Sequence, residues 1–255
     1  MKKMENLTTN FYEVTLRDEL AIILFKNDVF ELLCNRNNSD SFFKILENLR
    51  HTQKIKALLF SNEPECLGEK VYDKFLSKIM FHEIKSKDSE SSNFYEKNLR
   101  IKELVVLNRF VEYISNYKKL CFSALRGSIV TPFFGLSLAT DIRYATPETY
   151  FSLAHNKYGL HPSGGLPYFL VHQLGHSKAI ELMFSETISS KEALELGLIN
   201  KIVPENDFLD EVIEEIKKIT KLNSSVLNST KRLSSYVRNS LSDYLEYENI
   251  YKPYI

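Results

Sequence analysis

The sequence has no excess of charge of either sign, and this absence limits the partners that we expect. Lysine plus arginine and aspartate plus glutamate both number 33 in 255 residues, which gives a formal net charge of zero at pH 7. Nucleic acid is not predicted as the main partner, because neutralising phosphates requires a basic excess. Zero net charge instead favours self-association over electrostatic repulsion.

Cysteine is scarce, and long apolar runs are absent. Cys34, Cys66 and Cys121 are widely spaced and form no CxxC pair, so neither a disulfide framework nor a metal site is predicted. No apolar stretch approaches the roughly 20 residues that a membrane-spanning helix needs. The opening MKKMENLTTN lacks an apolar core and is not expected to be a secretory signal. We therefore expect a soluble cytoplasmic protein with buried thiols and no membrane partner.

The residues that are present predict one main domain of the α/β class. The hydrophobic fraction of 44% is enough for a sizeable core. Tyr12–Leu16 and Leu20–Phe25 predict paired strands, and Ile55–Phe60 predicts a buried strand. Between them, Ser39–Leu49 carries apolar residues at helical spacing, with Ser39 as the predicted N-cap. A strand, a helix and a further strand in this order indicate a crossover unit.

The later chain continues this alternation and then becomes helical. The polar stretch His82–Asn98 is predicted to be a mobile excursion or an exposed helix end. A helix over Leu99–Tyr117 and a strand over Leu120–Leu125 are predicted next. Ser189 opens a predicted capping box that starts a short helix ending at Gly197, and Ile199–Val203 predicts a short strand. From Asp207 onward the pattern is helical almost to the end.

Two segments hold the residues that could carry chemistry. In Lys119–Ala145 a strand leads into a turn at Gly127 and then an apolar run, and the free N–H groups at a helix start are suited to holding an oxyanion. In Tyr150–Leu170 a loop rich in glycine is flanked by His155 and His161. Neither GxxxxGK[ST] nor GxGxxG is present, so a nucleotide phosphate loop is not indicated. The residues alone leave open whether these segments form a site or a packed core.

Three ordered motifs resemble those of the crotonase (enoyl-CoA hydratase/isomerase) superfamily. TDIRYA at Thr140–Ala145 resembles its CD[IL]R.A motif, and FSLAHNKYGLHPSGG at Phe151–Gly165 resembles its F….[KL].G[LI].P..GG motif. LGHSKAIELMFSETISSKEALELGLINKIVP at Leu174–Pro204 resembles the longest motif. The resemblance covers about residues 10 to 250. It implies a crotonase-like spiral of ββα units over residues 1–200 and a helical, trimer-forming region over residues 201–255.

The resemblance also implies what the protein acts on. Similar proteins bind acyl-CoA or related thioesters, hold the thioester oxygen with two backbone N–H groups, and stabilise the enolate that forms. Coenzyme A or a carrier protein belongs to the substrate, so no separate cofactor is implied. A homotrimer or a hexamer is the expected assembly. KYGL.P at Lys157–Pro162 is reminiscent of superfamily members that act on carrier-bound polyketide intermediates, some of which decarboxylate.

Site residues follow from the resemblance by position. The first oxyanion donor is the backbone N–H of Glu69, in ECLGEK at Glu65–Lys70. Lys70 stands where the family has aspartate and is a candidate contact for a CoA phosphate, or else an ordinary surface lysine. The second donor falls on Pro132, which has no N–H, or on Phe133 if the turn shifts by one residue.

Both of the family's catalytic glutamates are replaced. One position is Gly135 and the other is His155, so the usual two-carboxylate addition of water is not expected. His155 is the candidate acid–base group and is expected to titrate near neutral pH, whereas His161 is expected to be structural. The predicted function is an acyl-thioester enzyme with an altered mechanism: an isomerase, a decarboxylase or a lyase. The alternative is a catalytically silent binding or assembly subunit with the same fold.

Overall fold

The computed structural model describes residues 7–27, 29–85 and 90–250, and the side chains of all of these except residues 79–99. The strands are β1 (Leu7–Thr8), β2 (Tyr12–Arg17), β3 (Leu20–Phe25), β4 (Ala57–Asn62), β5 (Leu120–Leu125), β6 (Ser128–Val130), β7 (Ile142–Ala145), β8 (Tyr150–Ser152), β9 (Thr187–Ser189) and β10 (Lys201–Ile202). The helices are α1 (Val29–Cys34), α2 (Arg36–His51), α3 (Glu69–Lys85), α4 (Glu90–Ser115), α5 (Thr131–Leu138), α6 (Leu166–Leu174), α7 (His176–Met183), α8 (Ser190–Glu195), α9 (Phe208–Thr220), α10 (Ser224–Ser235) and α11 (Leu241–Ile250), with a 3-10 turn at Tyr236–Arg238.

The main sheet has seven strands in the order β1-β2-β3-β4-β5-β7-β10. β2 and β3 form an antiparallel hairpin, and the strands from β3 to β10 pair in parallel. All six residues of β4 are buried, as expected for a parallel strand that is covered on both faces. The predicted hairpin and α/β class are confirmed, and the strand predicted at Ile55–Phe60 begins two residues later, at Ala57.

A smaller sheet of β6, β8 and β9 carries the candidate site. β5 and β6 are separated by Gly127, whose φ of 68° lies in the left-handed region that favours glycine. β6 runs directly into α5. Because β4 and β5 are parallel neighbours, the loop after β4 and the turn after β5 meet at the same edge of the main sheet, where ligands of α/β proteins commonly bind.

Side-chain hydrogen bonds mark the starts of α2 and α8. The N-cap predicted for α2 was wrong, and the one predicted for α8 was right. α2 begins one turn before the predicted N-cap: the side chain of Asn35 caps it, accepting from the N–H groups of Asn37 and Asn38 at 3.0 and 3.2 Å. Ser39 lies inside the helix and is 2% exposed. The predicted cap of α8 is confirmed, because Ser189 accepts from the N–H of Glu192 at 3.2 Å.

Two other predictions are refined. α3 runs to Lys85 and α4 starts at Glu90, so the helix predicted at Leu99–Tyr117 begins earlier. Residues 86–89 and the side chains of the polar stretch His82–Asn98 lie outside the described residues. The strand predicted at Ile199–Val203 shortens to Lys201–Ile202, and the helical C-terminal part is confirmed. Among the described residues, no helix combines the length and the apolar character that crossing a bilayer requires.

Candidate functional site

The loop after β4 is tied to β6 by backbone hydrogen bonds. The N–H of Val130 donates to the carbonyl of Leu67 at 2.9 Å, and the N–H of Gly68 donates to Glu65 at 2.9 Å. Gly68 allows the close approach, since a Cβ there would lie 3.1 Å from the Cβ of Ser128. These contacts fix the loop against the strand that leads into α5.

Two N–H groups of this loop differ in their hydrogen bonding. The N–H of Glu69, the predicted oxyanion donor, faces the hydroxyl of Ser128 at 3.4 Å, a long hydrogen bond. The N–H of Leu67 makes no hydrogen bond within the described part of the chain. Counting along the motif did not single out Leu67, and only the bond pattern of the folded loop does so.

The start of α5 offers a second donor. Pro132 follows Thr131 in the first turn, and no side chain caps this helix. The N–H of Phe133 precedes the first intrahelical hydrogen bond and therefore has no acceptor within the helix. Every residue of α5 is buried, and a buried helix start without partners is unusual unless a ligand supplies them. Of the two predicted alternatives, Pro132 lies in the helix without an N–H and Phe133 has one.

Gly135 faces the glycine-rich loop so closely that no side chain fits. A Cβ at Gly135 would lie 2.3 Å from the carbonyl oxygen of Gly164, and one at Gly164 would lie 2.5 Å from the carbonyl oxygen of Pro132. Real Cβ atoms do not approach backbone atoms this closely. The backbone of the loop thus occupies the space that the side chain of a glutamate at position 135 would need.

His155 lies against the start of α5, but it does not titrate as predicted. Its Nδ1 is 2.9 Å from the hydroxyl of Thr131, and the nearby backbone of Met183 offsets part of the effect of burial on its pKa. Only 4% of the residue is exposed. Burial, and to a lesser extent the neighbouring His161, lowers its pKa to about 4. The expectation of titration near neutral pH was wrong, because the sequence does not show how deeply the ring is buried.

The carboxylate of Glu69 completes the edge of the site. It accepts from the hydroxyl of Ser152 at 2.9 Å and from the ammonium of Lys157 at 2.8 Å. The hydrogen bond from Lys157 is the main reason that the pKa of Glu69 is lowered. This carboxylate is therefore ionised and paired. Lys70, the candidate phosphate contact, is exposed in the first turn of α3.

The glycine-rich loop already holds a carboxyl side chain. Glu248, on α11, accepts from the N–H groups of Gly164 and Gly165 at 2.9 and 3.2 Å. Burial raises the pKa of this carboxyl group to about 7. Sequence reasoning missed Glu248, because more than 80 residues separate it from the loop. His161, in the same loop, has a pKa lowered to about 4 by burial and by Arg100.

The apolar space next to the two donors is small. A cavity of about 30 Å³ is lined by Leu67, Phe133, Phe110 and Leu125, among other residues. This volume is enough for one or two water molecules. An acyl group would therefore require side chains around Phe133 to move.

Comparisons with known proteins agree with this architecture. A family profile described as Enoyl-CoA hydratase/isomerase matches residues 92–251, which is more than half of the chain. A crystal structure of an enoyl-CoA hydratase from Bacillus halodurans superposes with a TM-score of 0.74 at 21% identity, covering 94% of this chain and 92% of that chain. At this identity the superposition shows the fold alone.

Two curated proteins are similar in sequence. A probable enoyl-CoA hydratase of Mycobacterium tuberculosis, EchA12, is 29% identical over 120 residues, or 46% of this chain and 42% of its own length. The 4-chlorobenzoyl coenzyme A dehalogenase-1 of an Arthrobacter species is 26% identical over 160 residues, or 61% of this chain and 57% of its own. The matched regions thus span about half the length of these relatives. Together with the profile match and the crotonase fold, they place the chain in the enoyl-CoA hydratase/isomerase family.

Proposed function

We propose that this protein binds an acyl thioester of coenzyme A or of an acyl carrier, with the carbonyl oxygen between the loop after β4 and the start of α5. The observation that carries the proposal is a pair of backbone N–H groups: that of Leu67, which makes no hydrogen bond within the described chain, and that of Phe133, which has no acceptor within its own helix. Their segments are joined by the Val130–Leu67 hydrogen bond. Two preorganised donors stabilise an oxygen that gains negative charge, as the thioester oxygen does in an enolate.

The chemistry that follows binding is proposed to differ from ordinary hydration. Position 135 has no room for a carboxylate, and position 155 carries an imidazole that is neutral at physiological pH. His155 is the candidate acid–base group, and acting as a base is the role that a neutral imidazole allows. Isomerisation, decarboxylation or another lyase reaction fits these residues better than the addition of water. The dehalogenase among the similar proteins supports a family chemistry other than hydration.

A catalytically silent binding or assembly subunit is the second candidate function. Its support is the burial of His155, which is only 4% exposed and whose Nδ1 is already paired with Thr131. A homotrimer or hexamer is proposed under either function. Its support is the set of apolar side chains that face solvent in the C-terminal region, among them Leu233, Tyr236 and Val237, each at least 76% exposed.

Calorimetric titration with CoA, acetyl-CoA and acetyl-pantetheine tests the binding proposal. We expect the thioesters to bind and Lys70→Ala to weaken the CoA ester several-fold without affecting the pantetheine ester, which lacks the nucleotide phosphates. Lys74→Ala, an exposed lysine on the same helix, is the matched control. Absence of binding by every thioester would refute the proposal.

Crotonyl-CoA hydration separates the altered mechanism from the ordinary one. We expect turnover far below the roughly 10 per second of a typical enzyme, because neither of the family's two glutamate positions carries a carboxylate. Efficient hydration would show that another group replaces both glutamates. Binding of thioesters without turnover of any of them would favour the silent subunit.

A further inference from the structure

The side chains of Thr131 and His155 are joined by a buried hydrogen bond, with 2.9 Å between the hydroxyl oxygen and Nδ1. Burial lowers the pKa of His155 to about 4, so the ring is neutral at physiological pH and one of its two nitrogens is an acceptor. In the tautomer that carries the proton on Nε2, Nδ1 is that acceptor. The hydroxyl of Thr131 is then the donor, and this is the tautomer that the proposal below uses.

Thr131 has no comparable alternative partner. It is the first residue of α5, and no side chain caps that helix. Its hydroxyl lies 3.4 Å from the carbonyl of Ser152, which is at the limit of a hydrogen bond. A hydroxyl that donates to a neutral imidazole is the pairing of an activated nucleophile with its base.

The proposed oxyanion donor lies within the same helical turn. The N–H of Phe133 is two residues after Thr131, and the N–H of Leu67 belongs to the loop bonded to Val130. A thioester whose oxygen lies between these donors has its carbonyl carbon beside the first turn of α5. The nucleophile and one oxyanion donor therefore belong to the same helical turn, and His155 contacts that turn through Thr131.

We propose that Thr131 is a nucleophile that takes the acyl group from the thioester, with His155 as its base. This inference rests on the thioester binding proposed above and adds a reaction, acyl transfer followed by hydrolysis, to those considered there. The Thr131 oxygen attacks the carbonyl carbon while its proton moves to Nδ1 of His155, and a C–O bond forms as the carbonyl electrons move onto oxygen. The C–S bond then breaks, and the proton on Nδ1 passes to the departing sulfur.

Water completes the reaction. The water oxygen attacks the ester carbonyl carbon while one water proton moves to Nδ1 of His155. The bond between that carbon and the Thr131 oxygen then breaks, and the Thr131 oxygen takes the proton back from Nδ1. The net reaction converts a thioester and water into a carboxylic acid and a thiol. Because Thr131 and His155 are only 1% and 4% exposed, bulk water reaches the ester slowly. The acylated protein should therefore accumulate.

Intact-protein mass spectrometry after mixing with acetyl-, hexanoyl- or benzoyl-CoA tests the inference. With at least one of them we expect a mass increase of one acyl group per chain, removable by hydroxylamine and mapped by peptide sequencing to Thr131. Thr131→Ser should retain acylation and Thr131→Val should lose it. His155→Gln should slow acylation by at least about 100-fold. Thr220→Val, a buried threonine at the end of α9, is the control that should react normally.

The outcomes separate this inference from the proposed function. If the thioesters bind in the calorimeter but no acyl group appears on Thr131, the nucleophile is refuted and thioester binding stands. Acylation at another residue, or undiminished acylation of Thr131→Val, also refutes it. If no thioester binds, both proposals fail. The mapping uses the unaltered protein, so the test does not depend on whether Thr131→Val folds.

Discussion

The starts of α5 and α6 lie side by side, but their free N–H groups differ in their hydrogen-bond partners. At α6 the chain supplies its own anion, because the carboxyl group of Glu248 accepts from Gly164 and Gly165. At α5 no side chain caps the helix, and the N–H of Phe133 has no acceptor within the helix. The glycine-rich loop is therefore structural in this protein, although such loops commonly bind anions. The apolar helix start beside it is the one that is available for a ligand.

The contact between these two helix starts is expected to be the most sensitive point. Gly135→Ala should lower the free energy of unfolding by about 3 kcal/mol, because its Cβ would overlap the carbonyl of Gly164. Gly135→Glu should prevent folding, since it adds a buried, unpaired charge. Chemical denaturation measures the first, and expression as a soluble folded chain tests the second.

A control isolates the overlap from the loss of a glycine. Gly159 has a φ of 62°, but no atom lies within 4 Å of a Cβ built on it. Gly159→Ala should therefore lower the free energy of unfolding only by the roughly 1–2 kcal/mol of left-handed backbone strain. Equal losses for the two variants would show that the two helix starts are not in close contact.

Removing the internal anion is expected to have the next largest effect. Glu248→Ala should lower the free energy of unfolding by about 3 kcal/mol, because two buried N–H groups lose their acceptors. Glu246→Ala, an exposed position on the same helix, should change it by less than about 0.5 kcal/mol. Urea unfolding followed by circular dichroism measures both. If the two variants are equally stable, α6 does not depend on its own carboxylate.

The same carboxyl group makes stability depend on pH. Its pKa is raised to about 7 in the folded protein, from about 4.5 in the unfolded chain. The folded state thus binds the proton more tightly, and this contribution to stability declines as pH rises from about 4.5 through 7. Between pH 5 and 8 the decline should be roughly 2 kcal/mol.

Glu248→Gln isolates this contribution, because the buried histidines and the other titrating groups are the same in both proteins. The unfolding free energy of the parent minus that of Glu248→Gln should decrease by that amount from pH 5 to 8. Parallel pH curves would mean that Glu248 titrates alike in the folded and unfolded chains.

A helix start with an ordinary cap gives the smallest expected effect. Asn35→Ala removes the acceptor for two N–H groups of α2 and should cost about 1 kcal/mol. An exposed α2 substitution such as Lys44→Ala is the control and should change stability by less than about 0.5 kcal/mol. A negligible loss for Asn35→Ala would show that α2 begins elsewhere.

Sequence patterns predicted the elements better than the contacts between them. The hairpin β2–β3 was located from two strand-like runs around a short turn, because such runs are local features of the sequence. The cap of α2 was misplaced because Ser39 begins the apolar stripe, one turn after the helix starts. His155 was identified by motif position, but its pKa depends on burial that only the fold determines. The partners Glu248 and Gly164 are joined by tertiary packing, for which the local sequence carries no signal.

The mutual contact of Gly135 and Gly164 also constrains how this protein can change over time. The space that a side chain at either glycine would need is filled by backbone near the other glycine. A larger residue at position 135 is therefore tolerated only after the loop at 164 has moved. A lineage with this pairing does not recover a glutamate at position 135 through one codon change, since the intermediate would be poorly folded. New activities are more accessible at Thr131 and His155, where side chains already meet.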